Sequence, residues 1–333
     1  MRGILGNLAF AAIVVILVAA VAEIIFRISF GSPLSTQGQA ICEKADGELE
    51  FRLMANLDRE YAGARVVTNS LGLRDFRPPH KSADKQQILV LGDSFTFGYG
   101  LPLEKSYPYL LEQYLNQQQN GIQYEVMNAG VPGYDTVDEL GLLKLILPHY
   151  SPKWIIVGLH PGDFMSREQL SNKPLIRIRE ALRHKSAFFA WFYRLYKTRL
   201  IKYVPPPKSL LSVDPDNYID TPEAARTKDA FKQIHDIGMS NGTELAVFMI
   251  VPLVQWERYP YRNLHAGVSK FCEENSIHFV DPLNDFSGHE SSSLWLARND
   301  SHYNADANAI AARALLRFLL GVGRENAFPR NLQ

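Results

Sequence analysis

The chain has 333 residues, 46% of them hydrophobic, with 35 basic and 35 acidic side chains and zero formal net charge. That length and apolar content support one sizeable folded domain with additions and exclude a disordered chain. Balanced charge supplies no general attraction to a phosphate backbone, so no nucleic-acid partner is expected.

The run Gly3 to Ala22 is twenty residues long and has only Asn7 as a strongly polar member, enough to cross a bilayer core. No Ala-x-Ala cleavage signal clearly follows before Glu23 and Arg27, so residues 1–30 are expected to form an uncleaved anchor, a single transmembrane helix. Arg2 and Arg27 flank the run on opposite sides and nearly balance the positive-inside count. Residues 31–84 are polar, with turn residues and short β-like pieces such as Ala64–Val67, and read as a stalk or accessory segment against the following domain. Cys42 and Cys272 are the only cysteines. An exported chain permits a disulfide between them, while Cys272 also reads as a core residue of a helix.

From residue 85 to 325 strands and helices alternate. Strands are predicted at Ile88–Leu91, Gln123–Met127, Lys153–Gly158, Glu244–Val251 and Ile277–Val280. Helices are predicted near Ser106–Asn116, Thr136–Leu147, Pro222–Ser240, Leu264–Asn275 and Ala305–Leu320. Such alternation predicts right-handed βαβ crossovers and a parallel five-stranded sheet, a flavodoxin-like α/β/α sandwich of order 2-1-3-4-5. Residues 165–220 interrupt the pattern. From Arg167 to Lys208 there are eleven Lys/Arg against Glu168 and Glu180, interleaved with aromatics such as Phe188, Trp191 and Tyr196. Three readings stay open: a helical hairpin packing its rings on the core, a lid or glycan cradle, and a segment lying on a membrane surface.

Chemistry concentrates where the first of these strands ends. Gly92-Asp93-Ser94-Phe95-Thr96-Phe97-Gly98-Tyr99 follows Ile88–Leu91 directly, which puts Ser94 at the carboxyl end of a parallel strand, where open α/β sheets bind ligands. Taken alone, Gly-Asp-Ser is also an ordinary turn with a helix cap. Asn299-Asp300-Ser301-His302 lies far downstream, and its acid and histidine, two positions apart on a loop, can face one pocket. The acid would then orient the imidazole, and the imidazole would deprotonate a serine. Between them, Asn128-Ala129-Gly130-Val131-Pro132-Gly133 follows a strand, and glycine there lets a backbone N–H approach a substrate oxygen.

Together these segments resemble the SGNH/GDSL hydrolase superfamily of esterases, lipases and carbohydrate acyl-esterases. The resemblance runs from about Thr68 to about Leu320 and includes Asn69-Ser70-Leu71-Gly72-Leu73-Arg74-Asp75, similar to the lead-in of bacterial membrane-anchored members. It implies that Ser94 is the nucleophile and His302 the general base, with Asp300 beside it. The N–H groups of Ser94 and Gly133 would form part of the oxyanion hole. Two positions depart from the family pattern. Where the family has Gly-x-Asn-Asp, this chain has His160-Pro161-Gly162-Asp163, so the asparagine donor is absent and Gly162 or His160 is the candidate for its place. Where the family usually has Asp-x-x-His, Asn299 stands three residues before His302, and Asp300 gives Asp-x-His instead, a spacing seen in alginate-type O-acetyltransferases.

The resemblance implies a membrane-anchored serine esterase with an extracytoplasmic catalytic domain, periplasmic or on the cell surface. It would cleave an acyl or acetyl ester, carbohydrate- or lipid-linked, through an acyl-Ser94 intermediate. The alternatives are an O-acyltransferase that delivers the acyl group to a glycan hydroxyl, and a glycan-binding protein that has lost activity. Asp93 is expected to bond nearby backbone N–H groups, Asp135 and Asp138 to favour a helix N-terminus, and His235, His265 and His278 to lack clustered partners. No His-Glu-x-x-His, paired Cys-x-x-Cys, Walker loop or dinucleotide fingerprint occurs, so no metal or nucleotide cofactor is implied.

Overall fold

Ile88, Leu89, Val90 and Leu91 are all 0% exposed, and the sheet is built around them. Complete burial of each such side chain is worth about 1.5–3 kcal/mol, so this strand has one stable place, the middle of a sheet covered on both faces. The computed structural model describes residues 41–164 and 221–321 apart from 46–48, 255, 257–258 and 299, together with scattered positions between 10 and 29 and between 182 and 189.

The chain divides into two compact units, Met1–Ala40 with Arg167–Pro207, and Ile41–Ser166 with Lys208–Gln333. Most of the first lies outside the described residues, and with it most of the expected anchor and of the basic aromatic insertion. Among the described residues no helix is long and apolar enough to cross a membrane. Within that unit Glu23 pairs with Arg27 at 2.7 Å, and its other carboxylate oxygen accepts from Ser186 Oγ at 2.7 Å and from the Phe188 N–H at 3.1 Å.

The second unit opens with two short antiparallel pairs, β1 (Cys42–Lys44) with β2 (Phe51–Leu53), and β3 (Asp58–Tyr61) with β4 (Ala64–Val67). Then come β5 (Lys85–Gly92), the single-turn helix α1 (Ser94–Phe97), α2 (Tyr107–Asn116), β6 (Gln123–Gly130), α3 (Thr136–Ile146) and β7 (Pro152–Leu159). Next are α4 (Pro222–Ser240), β8 (Glu244–Met249), α5 (Arg262–Glu274) and β9 (His278–Val280). A hairpin, β10 (Trp295–Ala297) and β11 (Asp300–Tyr303), and the helix α6 (Ala305–Leu319) complete the unit. The five parallel strands lie in the order β6-β5-β7-β8-β9, which is 2-1-3-4-5 by chain position.

Side chains alternate across the sheet as a two-residue period demands. Leu89, Leu91, Ile155 and Val157 face one core with Leu143 of α3, Phe231 and Ile234 of α4, and Val268 of α5. Ile88, Val90, Trp154 and Ile156 face the other with Leu111 of α2 and Ala311 and Leu315 of α6. Cys272 is part of the first core, and neither it nor Cys42 is in a disulfide. Burial pushes these thiols up to about 12 and about 11 respectively, which keeps both protonated and unreactive at neutral pH.

The expected stalk contributes Ile41, Leu49, Leu53, Leu57, Val66 and Leu73 to that same core, so residues 41–84 pack as part of this unit. The three strands β5, β6 and β7 also run further toward their carboxyl ends than hydrophobicity suggests, with Gly92 paired to both Gly130 and Gly158. This rung of three glycines supports no hydrophobic pattern but continues the ladder, because each backbone group there finds its partner on the next strand. A Cβ at Gly130 would lie 2.2 Å from the Phe97 nitrogen, and one at Gly92 would lie 1.9 Å from Thr96 Oγ1. The rung is bare because α1 lies directly on it.

Candidate active site

Ser94 is the first residue of α1, and Asp93 caps that turn by accepting from the Phe95 N–H at 2.8 Å. Among the described residues nothing accepts from the Ser94 N–H, which leaves that donor for a ligand. Asp300 and His302 are on strand β11, not on a loop. The period of two puts both side chains on one face, and β10 pairs with the strand, Trp295 with Tyr303 and Ala297 with Asp300, with an irregular register between them. His302 Nε2 is 2.8 Å from Ser94 Oγ, and His302 Nδ1 is 2.5 Å from Asp300 Oδ1, which also accepts from the His302 backbone N–H at 3.2 Å. The three groups therefore form a continuous relay, able to draw a proton from Ser94 while holding one ring tautomer.

Gly133 sits on the exposed loop that leaves β6, in the left-handed region at φ +91°, and Tyr134 beside it ties the loop to β2 by donating to Phe51 O at 2.5 Å. His160 is at the end of β7, with its ring stacked on Phe95 at a centroid distance of 5.1 Å and an interplanar angle of 18°. The Gly162 N–H donates to His160 Nδ1 at 3.0 Å, which leaves Nε2 as the protonated nitrogen of the neutral ring. Burial pushes this imidazole down, Asp93 pulls it up and His302 pushes it further down, so the ring is held neutral. Gly162 does not have a left-handed backbone. What opposes a side chain there is His160, since a Cβ at 162 would lie 2.9 Å from His160 Nδ1.

No family model matches the chain. An arylesterase of Vibrio mimicus is 34% identical over 82 residues, 25% of this chain and 40% of that protein. Thioesterase 1/protease 1/lysophospholipase L1 of Escherichia coli is 28% identical over 83 residues, 25% of this chain and 38% of that protein. The chain thus spans about two fifths of the length of the curated relatives it matches. These local similarities agree with the resemblance of the chain to the SGNH/GDSL hydrolase superfamily. Among solved structures, a catalytic mutant of an acetylxylan esterase from Geobacillus stearothermophilus superposes with a TM-score of 0.44 at 16% identity, over 74% of this chain and 96% of that one.

Several groups around this site were not legible as functional. Arg74, in the lead-in, is 1% exposed, and its guanidinium donates to the carbonyls of Phe97, of Gly98 at 2.9 Å and of Leu101 at 2.6 Å. It lies over the Phe97 ring at 4.3 Å, and burial pulls its proton affinity down to about 10. Arg74 therefore ties off the carboxyl end of the helix whose first residue is Ser94, where a cation meets unsatisfied carbonyls. The only signal in the sequence was its place in the quoted lead-in. The acids at 135 and 138 form a capping box on α3. His265 does have partners, bridging Asp281 at 2.9 Å and the Tyr259 hydroxyl at 3.0 Å as a structural link. Among the described residues there is no cluster of three or more metal-ligating side chains.

Two further carboxyls lie within electrostatic reach of Asp93. Glu139 of α3 is 0% exposed, and among the described residues neither of its oxygens has a hydrogen-bond partner. Asp163 is 7% exposed and accepts from Thr136 Oγ1 at 3.3 Å and the His160 N–H at 3.2 Å. Burial, and after it the neighbouring carboxylates, hold both groups well above the ordinary carboxylate range. The native Glu139 affinity exceeds the unfolded one, so any stability linked to it is complete below about pH 4.5 and is lost as pH rises toward the native value. Glu139→Gln should therefore gain melting temperature relative to wild type progressively between pH 4.5 and pH 8. Thermal unfolding followed across that range tests this, and a difference that stays constant with pH would refute it.

Proposed function

We propose that the protein is a serine ester hydrolase that works through an acyl-Ser94 intermediate. The observation that carries this reading is the unbroken relay from Ser94 Oγ through His302 to Asp300, at 2.8 and 2.5 Å. Ser94 Oγ attacks the ester carbonyl carbon as its proton passes to His302 Nε2. The resulting imidazolium is held by Asp300 and returns the proton to the departing alkoxide as the carbon–oxygen bond of the ester breaks. Water, activated by the same imidazole, then releases the acid from Ser94. The oxyanion is met by the N–H groups of Ser94 and Gly133, and by His160 Nε2–H in the place of the asparagine that Gly162 cannot supply. A neutral ring suits that role, because its protonated nitrogen is fixed by the Gly162 contact.

The substrate class is an acyl or acetyl ester on a carbohydrate or lipid. Transfer of the acyl group to a glycan hydroxyl is a second reading, favoured by the Asp300-x-His302 spacing. The apolar run Gly3 to Ala22 supports a membrane anchor, as does the exposure of Leu17, Val18, Val21, Ile24 and Ile25. On this reading the catalytic domain lies outside the cytoplasm.

Ser94→Ala and His302→Ala should each abolish nearly all turnover of p-nitrophenyl acetate, since nucleophile and base act as a unit. Product analysis with and without an added oligosaccharide separates hydrolysis from transfer, and full turnover in Ser94→Ala would sink both. A second outcome concerns the missing donor. His160→Ala should lower kcat by roughly a hundred- to a thousand-fold, the usual effect of losing one oxyanion donor. Gly162→Asn should gain nothing while the His160 ring occupies its space, and should restore part of the rate in the His160→Ala background. If His160→Ala retains wild-type kcat, the ring has no such role. For the anchor, a C-terminal fluorescent reporter that matures only in the cytosol should stay dark, and a bright signal would reverse the assignment.

A further inference from the structure

We propose that Tyr99 is a positioning residue for His302, covering one face of the imidazole and stabilising the imidazolium that forms when Ser94 attacks; this rests on the serine-hydrolase reading above. The Tyr99 ring lies 4.7 Å from the His302 ring at 29°, and the Phe95 ring lies 4.9 Å from it at 34°. Phe95 and Tyr99 make no ring contact with each other, so two near-parallel rings this close to the imidazole cover its opposite faces. With His160 stacked on Phe95, four rings follow one another in the order His160, Phe95, His302, Tyr99.

Tyr99 is itself held from several sides. Its N–H donates to Ser94 O at 3.0 Å, which closes the turn that begins at the nucleophile. The carbonyls of Gly98 and Leu101, on either side of it in the chain, both accept from the buried Arg74 at 2.9 and 2.6 Å. Tyr61 of β3 meets the Tyr99 ring edge-on, at 5.8 Å and 87°. The lead-in thus supports the ring that covers the base. Phe95 is buried and doubles as core, whereas Tyr99 is half-buried and packs against the other core.

The chemistry follows from the charge that develops. As the Ser94 proton reaches Nε2, the ring becomes a cation between two aromatic faces, and a π face attracts a cation. The ground-state imidazole is neutral and gains much less, so the interaction favours the transition state over the bound substrate. The other titratable groups around His302 are Asp300 on its own strand, Asp93 and Ser94 at the start of α1, and His160 at the end of β7. All are unchanged by a substitution at 99.

The test measures kcat and KM for p-nitrophenyl acetate from pH 5 to 9 in the full chain. Tyr99→Leu should lower kcat about 2- to 30-fold and leave KM within twofold, and should move the acid limb of the rate profile down by roughly half a unit to one unit. Tyr99→Phe should restore both. Because Tyr99→Leu removes a ring and could unfold the loop, phenylalanines carrying one, two and three ring fluorines at position 99 supply an isosteric series. Log kcat should fall stepwise with fluorination as the ring face loses its negative potential. A flat series, an acid limb that does not move, or a change confined to KM would each overturn the proposal. Wild-type turnover that survives Ser94→Ala would instead bring down the underlying reading, and the Tyr99 role with it.

Discussion

A bare rung at the carboxyl edge of the sheet is the constraint on which the site depends. Gly92, Gly130 and Gly158 stand side by side on three adjacent strands, and the helix that begins at Ser94 lies on them. At Gly130 a Cβ would lie 2.2 Å from the Phe97 backbone nitrogen, where nothing flexible can yield to a side chain. Seating a one-turn helix this deep places Ser94 within 2.8 Å of a histidine 208 residues further along the chain. A helix displaced by a methyl group would not make that contact, and a misplacement of about 1 Å is enough to cost a reaction a hundredfold.

So short a helix has almost no stability of its own, since one turn cannot repay the entropy of nucleating it. Its surroundings hold it instead. Asp93 caps the start, Arg74 takes the carbonyls at the end, and the Thr96 and Tyr107 hydroxyls meet at 2.7 Å beneath it. These polar groups are buried, and burial makes their bonds both stronger and more costly to leave unmade. The segment before β5 supplies Arg74 and Tyr61, which explains why it shares the core of the sheet rather than standing apart from it.

The site also carries electrostatic strain. Asp93, Glu139 and Asp163 are buried within electrostatic reach of one another, and among the described residues Glu139 has no hydrogen-bond partner for either oxygen. A design for stability alone would not place three acids there. Their joint effect is a region in which adding negative charge is unfavourable and protons are retained, within electrostatic reach of His160 and His302 through Asp93. Proteins commonly tolerate such local cost where function is built and offset it elsewhere, here in two large apolar cores.

Hydrophobic period and turn chemistry act over a few residues, and what depends on them alone was determined by the sequence: the alternating strands and helices, the 2-1-3-4-5 sheet, the acids that cap α3, and Ser94 at a strand end. The helix Pro222–Ser240 is found with the very bounds that its pattern implies. Properties that depend on distant neighbours were decided only by the tertiary structure. Asp300 and His302 read as a loop because four residues, three of them polar, carry no strand pattern, and pairing with β10 makes them a strand. Gly162 read as a vacant donor position until the fold put the His160 ring in the space its side chain would need. Arg74, Tyr61 and Tyr99 each carry ordinary local signals. They acquire their roles only when segments tens of residues apart are brought within a hydrogen bond or a ring contact of each other, because such contacts depend on the position of the whole sheet and not on the residues beside them in the chain.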